Sequence, residues 1–522
     1  MLKNLTNLLK TEGPLLSSDL CDYLCTEENM TRLAARKQVS RAIAAETVSS
    51  LKGLFPRREA FIYLPEQFGS PTYWQILTNT LQKTQSAYGY AIGALLARGG
   101  IMPLAHFPAA SGSPHFMSKR LSHEVVLQRL CSNGLVKKLT LPGIGECVAL
   151  RESNDEYFNG VEIEVKARMV TESVLLKAVA QWSKNLGLVS YEQLKNRDIS
   201  EPKVTGFLFD LSAPSYLSGL IQQKTSGGIM PGFFCCDVLL NGRLEEEHVA
   251  PFINKCRSIN SLPKTGKTFF IFVADSYSKD AFTALKEHGI VPATVNNLFG
   301  QETAEALRAL TETLKNISFL NNKSEQIDEV MTRLSHIEGA ASQLRGDLFE
   351  YIVAEAVRDR AQNVEVGVQC KDPKGKKADC DVLVMNGSRK VTFIECKGYN
   401  PYAEVLHKDV KRWIHEQVPV FFKHALIHYP QTPIYVEFWT TGKLGKDSID
   451  LLNDFKEKNK LDRRYEVVIR EAHDVKEYVK KTRNKSLIRV FGKHFIDYYR
   501  KEPLDAASPP IRLASSDNVT TK

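Results

Sequence analysis

Several features that would narrow the field are missing from this chain. Its ten cysteines include no Cys-x-x-Cys pair and no Cys/His array at zinc spacing. That pattern excludes the common structural zinc modules and fits a reduced, cytoplasmic compartment. Cys21 and Cys25 stand one helical turn apart and read as packed side chains. No basic segment followed by an apolar core and a cleavage site opens the chain, so no secretion signal is expected. The longest apolar run, Ala87 to Leu96, is too short to span a bilayer and is broken by glycines, which argues against a membrane protein. A complete phosphate-binding loop is also missing. Lys264-Thr265-Gly266-Lys267-Thr268 resembles the end of one, but Ser261 replaces the first glycine, and Phe269 to Val273 continues as a strand where a helix is required.

What remains is a soluble, globular composition, 43% hydrophobic and 25% charged over 522 residues, long enough for about three or four domains. The net charge of +9 is unevenly spread. Residues 1–150 carry 16 basic against 10 acidic side chains, residues 151–341 carry 20 against 24, and residues 342–522 carry 33 against 26. Basic ends around an acidic middle are what a protein binding a polyanion at its ends would show, because phosphate neutralisation supplies most non-specific nucleic-acid affinity.

The chemistry concentrates in one stretch. Lys377-Ala378-Asp379-Cys380-Asp381-Val382-Leu383-Val384 and Val391-Thr392-Phe393-Ile394-Glu395-Cys396-Lys397-Gly398 are β-branched, apolar arms around Asn386-Gly387, a strong hairpin signal. A loop over Asn386–Lys390 centres the pairing on Ser388 and sets Asp381 opposite Glu395. Cross-strand partners have Cβ atoms roughly 4.5–5.5 Å apart, so two carboxylates there repel unless a cation neutralises them. Lys397, two residues on, shares the face of Glu395. Asp379 shares a face with Asp381 and is a rival for the first acidic position. Upstream, Phe349, Ile352, Val353, Ala356 and Val357 form a helical stripe with Glu350 at its border, whereas Glu355 points away.

A helix with Glu350, a strand with Asp381 and a strand with Glu395-x-Lys397 resemble the PD-(D/E)xK, or restriction-endonuclease-like, nuclease superfamily, over about Arg345 to Thr441. Cys380 departs from that pattern, standing where a proline would. The resemblance implies that Asp381, Glu395 and the backbone carbonyl of Cys396 hold Mg²⁺ or Mn²⁺. It makes Lys397 the residue that orients or deprotonates the attacking water and Glu350 an auxiliary carboxylate that holds a second metal or fixes the water shell. Lys397, near a cation and partly buried, is expected to hold its proton less tightly than usual. A helix (408–424), a strand (433–439), a helix (448–458) and a strand (465–470) complete the expected α/β core. His424 and His428, at i and i+4, read as helix C-terminal residues rather than ligands.

At the amino terminus the pattern is helix, helix, helix, hairpin. Thr31 caps a helix from Arg32 to Ala45 whose open side carries Arg36, Lys37, Ser40 and Arg41, with Arg57 and Arg58 in a basic turn between two strands of Leu51 to Leu64. This resembles a winged helix-turn-helix, which implies contacts with double-stranded DNA. Residues 72–150 repeat the theme, with helices at 87–98 and 122–131 and a hairpin over 135–150. The middle reads as α/β, with helix to 186, strands 204–211, 232–240, 268–275 and 290–295, and helices 245–258 and 279–288. Cys235-Cys236-Asp237-Val238-Leu239-Leu240 is similar to Asp379–Val384, but Glu245-Glu246-Glu247 open a helix, so no Glu-x-Lys follows on a strand. A degenerate nuclease-like copy and an unrelated α/β domain both fit.

The expected organisation is multidomain α/β (α+β): winged-helix-like segments at 1–70 and 71–165, an α/β domain at 166–315, a helical connector at 316–345, a nuclease core at 346–502 and a disordered tail at 503–522. The function it implies is a Mg²⁺-dependent DNA endonuclease, by analogy of architecture a bacterial restriction or anti-phage effector. The alternatives are a non-catalytic DNA-binding regulator on a nuclease-derived scaffold and an RNA-cleaving nuclease. A homo-oligomer or an accessory protein remains open as a partner.

Overall fold

The computed structural model describes the chain except residues 1, 56, 58, 85, 118–119, 152–160, 224–227, 263–264, 317–322, 335–339, 400, 463–464 and 498–522. Arg58 and the carboxy-terminal tail therefore lie outside the described residues. The chain divides into two compact units, Met1–Leu344 with Gly367–Gln369, and Arg345–Val366 with Cys370–Lys522. The three segments expected before residue 316 thus belong to one unit.

The first unit opens with α1 (Leu2–Glu12), β1 (Leu15–Leu16), α2 (Ser17–Glu27), α3 (Arg32–Ala44), β2 (Ser49–Lys52) and β3 (Ala60–Tyr63). Thr31 caps α3, its hydroxyl accepting from Ala34 N–H at 3.3 Å. Ala35, Val39 and Ala42 face a core with Leu20, Leu24 and Ile62, while Ile43 is only half-buried and Gln38 joins the buried side instead. The sheet runs β1-β3-β2, and its first strand has two residues, too short to read from periodicity. The next group repeats the scheme: α4 (Pro71–Lys83), α5 (Ala87–Leu96), β4 (Ile101–Pro103), α6 (Phe107–Ala110), α7 (His123–Ser132), β5 (Val136–Leu141) and β6 (Gly145–Leu150), in a sheet ordered β4-β6-β5.

The middle begins with α8 (Val161–Asn185). The single strand expected over 204–211 is broken into β8 (Lys203–Val204), β9 (Phe207–Leu208) and β10 (Leu211–Ser215), because Thr205, at φ 47°, turns the chain back on itself. Before these lies β7 (Lys195–Asn196), and after them β11 (Gln222–Gln223), β12 (Ile229–Met230), β13 (Gly232–Leu244), α9 (Glu246–Asn260), β14 (Thr268–Tyr277), α10 (Lys279–Glu287) and β15 (Ile290–Thr294). Strands are ordered β15-β14-β13-β10-β7. Neighbours β7, β10 and β13 pair antiparallel, and β13, β14 and β15 pair parallel. Helices α11 (Val295–Phe299), α12 (Gln301–Asn316) and α13 (Lys323–Leu334) follow.

The second unit begins within α14 (Ala340–Arg358) and continues through β16 (Asn363–Lys371), β17 (Lys377–Met385), β18 (Val391–Lys397), α15 (His407–Arg412), α16 (Val418–His428), β19 (Ile434–Thr440), α17 (Lys446–Asp462), β20 (Glu466–Arg470), α18 (Ala472–Lys480) and α19 (Lys485–Phe491). Its sheet runs β16-β17-β18-β19-β20. β17 and β18 pair antiparallel, and β18, β19 and β20 pair parallel. β18 lies at the centre with Val391 to Cys396 buried, as a strand covered on both faces requires. The helix expected over 408–424 is interrupted by a π-helical turn at Trp413–Gln417. Pro419 has no N–H for the ladder at that point, and a helix yields there.

Both units belong to a mixed α/β architecture. No helix among the described residues is long and apolar enough to cross a membrane.

Candidate active site on the β17–β18 hairpin

The hairpin closes as its sequence requires. Gly387 takes φ 58°, Asn386 N–H donates to Lys390 O at 3.0 Å, and Val382 pairs with Ile394, Leu383 with Phe393, Val384 with Thr392 and Met385 with Val391. Continued by one pair, this register brings Asp381 opposite Glu395. The Asp381 carboxylate accepts from the Cys396 N–H at 2.7 Å, which fixes it against the partner strand.

Glu395, on the central strand, is 1% exposed. Lys397 Nζ lies 2.6 Å from Glu395 Oε1 and 4.0 Å from Asp381 Oδ2, and donates to the Cys396 carbonyl at 3.2 Å. Two groups that sequence reasoning missed complete the surround. Gln417 Nε2 donates to Glu395 Oε2 at 2.9 Å and to the Asp379 carbonyl at 3.3 Å, and the Arg412 guanidinium stands 3.9 Å from Glu395 Oε1. Arg412 precedes the π-helical turn and Gln417 ends it, and Pro419 was the one sequence signal that this helix is irregular.

Gly398 ends β18 and lets α14 approach: a Cβ there would collide with the carbonyl of Arg345 and come within 2.8 Å of the Phe349 Cβ. The next residue of that helix is Glu350, half-buried, whose charge reaches Cys396 and adds to the burial and the Asp381 charge that raise its thiol. Glu355 pairs instead with Arg358 at 3.3 Å, pointing away as expected. His424 is held by the Lys371 backbone, its Nδ1 3.2 Å from the amide nitrogen, and its ring centroid lies 4.2 Å from that of His428.

The electrostatics follow from burial and proximity. Burial, reinforced by the charge of Asp381, pushes the Glu395 carboxyl up to about 7. Burial disfavours the Lys397 ammonium, but Glu395 and Asp381 outweigh burial and hold it above the usual lysine range. Lys397 is therefore a cationic donor.

Two carboxylates and a carbonyl are hard oxygen donors of the kind Mg²⁺ and Mn²⁺ take. Two further buried oxygens close by, Asp379 Oδ1 on β17 and Gln417 Oε1, have no hydrogen-bond partner. A carboxylate raised by burial and by its neighbour's charge, and acceptors lacking donors, both fit a cation at this place.

In the first unit, Arg36, Lys37, Ser40 and Arg41 are all exposed on α3, and Arg57 is exposed between β2 and β3 at φ 54°. In the same unit His115, His123 and Glu124 bring ligand atoms within 4.8 Å of one another, with 3.2 Å between His115 Nδ1 and His123 Nε2. No local pattern announces this cluster, because His115 precedes α7 in a Pro/Ser/Gly-rich loop.

No protein-family model and no curated protein matches the chain. Among solved structures, the restriction endonuclease FokI aligns at 11% identity over 90% of this chain and 82% of that one, with a TM-score of 0.21. A superposition that loose carries no argument about fold or activity.

Proposed function

We propose that this protein is a divalent-cation-dependent nuclease that hydrolyses phosphodiester bonds in DNA at the β17–β18 hairpin. The observation that carries the reading is the apposition of Asp381 and a buried Glu395 across two paired strands, with Lys397 between them. Such an apposition is unfavourable without a cation and useful with one.

Asp381, Glu395 and the Cys396 carbonyl would hold Mg²⁺ or Mn²⁺, with Glu350 beside them. Bound there, the ion would neutralise charge on the phosphate and lower the pKa of a water. The Lys397 ammonium, kept charged by its carboxylate neighbours, donates hydrogen bonds that orient the attacking water or a phosphate oxygen. Gln417 holds the Glu395 carboxylate in one orientation. Arg412, about half exposed, can meet the phosphate from outside. In the first unit, Arg36, Lys37, Ser40, Arg41 and Arg57 offer phosphate-contacting groups to a duplex. A restriction or anti-phage role is the biological setting this reading favours.

The test is incubation of the purified chain with supercoiled plasmid and linear duplex in Mg²⁺, Mn²⁺, Ca²⁺ or chelator. Cleavage is expected with Mg²⁺ or Mn²⁺ and none with chelator. Glu395→Gln and Asp381→Asn should be inactive with unchanged circular dichroism. Cleavage that survives chelator, or either substitution, overturns the reading.

A further inference from the structure

The sheet of the middle segment shares more with the hairpin sheet than strand order. In each, a long helix precedes the sheet (α8, α14), an antiparallel pair (β10–β13, β17–β18) leads through a helical crossover to a parallel strand (β14, β19), and a second helix leads to another (β15, β20). By position β13 matches β18. The likeness of Cys235–Leu240 to the Asp379–Val384 stretch had paired it with β17 instead.

With that correction the residues fall into register. Leu211 pairs with Cys236, and one step further Asp210 lies opposite Asp237, as Asp381 lies opposite Glu395. Asp210 Oδ2 accepts from the N–H of Val238, the residue after Asp237, at 2.8 Å. Asp381 Oδ2 accepts from the N–H of Cys396, the residue after Glu395, at 2.7 Å. Asp237 and Glu395 each pair with a phenylalanine of the next parallel strand, Phe272 and Phe438. The preceding helix supplies Glu172 in one case, accepting from Leu240 N–H at 3.2 Å, and Glu350 in the other.

The differences lie in the cations. The position of Lys397 is taken by Leu239, which is buried. An ammonium comes from α9 instead: Lys255, fully buried, donates to Asp237 Oδ2 at 2.5 Å and to the carbonyls of Ala109 and Leu208 at 2.9 Å each. Arg197, just after β7, places one guanidinium nitrogen 2.7 Å from Glu172 and another 2.7 Å from Asp210. Glu172, Asp210 and Asp237 are all buried. Three carboxylates converge away from water, and the charge between them is supplied by the protein.

We propose that the middle segment holds a second copy of the carboxylate site, in which the Arg197 guanidinium fills the place of a divalent cation and Lys255 that of Lys397. The copy is closed to substrate, so each chain cleaves at one place, and it remains a latent cation site. The inference rests on the reading that Asp381 and Glu395 hold a cation, because that site is its template.

The experiment uses the full chain and Mn²⁺ as probe, with bound Mn²⁺ counted by electron paramagnetic resonance and melting followed in chelator and in Mn²⁺. Glu395→Gln should lose the Mn²⁺ bound by the wild type. Adding Arg197→Ala should restore about one equivalent and make the melting temperature rise with Mn²⁺, which it does not in Glu395→Gln alone. No gain of Mn²⁺ and no Mn²⁺-dependent stabilisation on adding Arg197→Ala overturns the inference. Should that variant not fold in chelator, Arg197→Gln is read the same way, and failure of both to fold even with Mn²⁺ present also overturns it. Mn²⁺ binding that persists in Glu395→Gln and also survives His123→Ala counts against the hairpin reading instead. The increment due to Arg197 is read separately.

Discussion

Lys255→Met is the most demanding test of how the middle segment is built. The Lys255 ammonium has no solvent exposure and three acceptors, the carboxylate of Asp237 and the carbonyls of Ala109 and Leu208. Methionine fills similar space without a donor and leaves Asp237 as a buried carboxylate beside Asp210. Removing one partner of a buried ion pair costs about 3–5 kcal/mol, and two carbonyls that lose a donor add to this. We therefore expect a loss of at least about 3 kcal/mol in urea unfolding of the first unit, read by circular dichroism and by hydrogen exchange of α9 and β13. Lys255→Met combined with Asp237→Leu removes both charges together and should recover most of that loss, since apolar replacements of buried pairs are often neutral or better. Asp237→Ala should likewise cost stability, yet the molecules that remain folded should cleave normally, whereas Asp381→Ala abolishes cleavage. A Lys255→Met protein within about 1 kcal/mol of wild type, well under the cost of an unpaired buried charge, would refute the account of this network.

Gly398→Ala pushes a methyl group into the Arg345 carbonyl and Phe349 Cβ of α14. It should cost about 1–3 kcal/mol and reduce cleavage by displacing Glu350, with a wild-type rate and stability as the contrary result. His106 is driven down to about 3 by burial, with Arg197 adding to the effect. A folded value below the unfolded one gives stability that is present above about 6.5 and lost as pH falls toward 3. Thermal melts of the first unit should therefore fall below pH 6.5, and His106→Gln should flatten that slope. Replacing Arg36, Lys37 and Arg41 by alanine should weaken duplex binding and reduce the salt slope by up to about 2.7, at roughly 0.9 per phosphate contact. An unchanged slope in a salt titration would remove α3 from the interface.

The sequence by itself determined the hairpin and the opposition of Asp381 to Glu395. Both lie within about twenty residues, the Asn-Gly turn sets the loop, and strand periodicity of two fixes which side chains share a face. It also placed the exposed basic side of α3, because a period of 3.6 with a Thr cap is local information as well. Tertiary structure alone decided the environment of that pair. Gln417 and Arg412 reach Glu395 only because a π-helical turn in a crossover helix packs over the sheet. The charge around Lys397 likewise depends on how closely two carboxylates approach it, 2.6 and 4.0 Å, and not on their order in the chain. The same limit explains the assignment of Asp237. A run such as Cys-Asp-Val-Leu reports that a strand is buried, and buried strands look alike; which neighbour a strand pairs with, and in which direction, is set by crossovers that bring Glu172, Arg197, Asp210 and Lys255 together from separate elements.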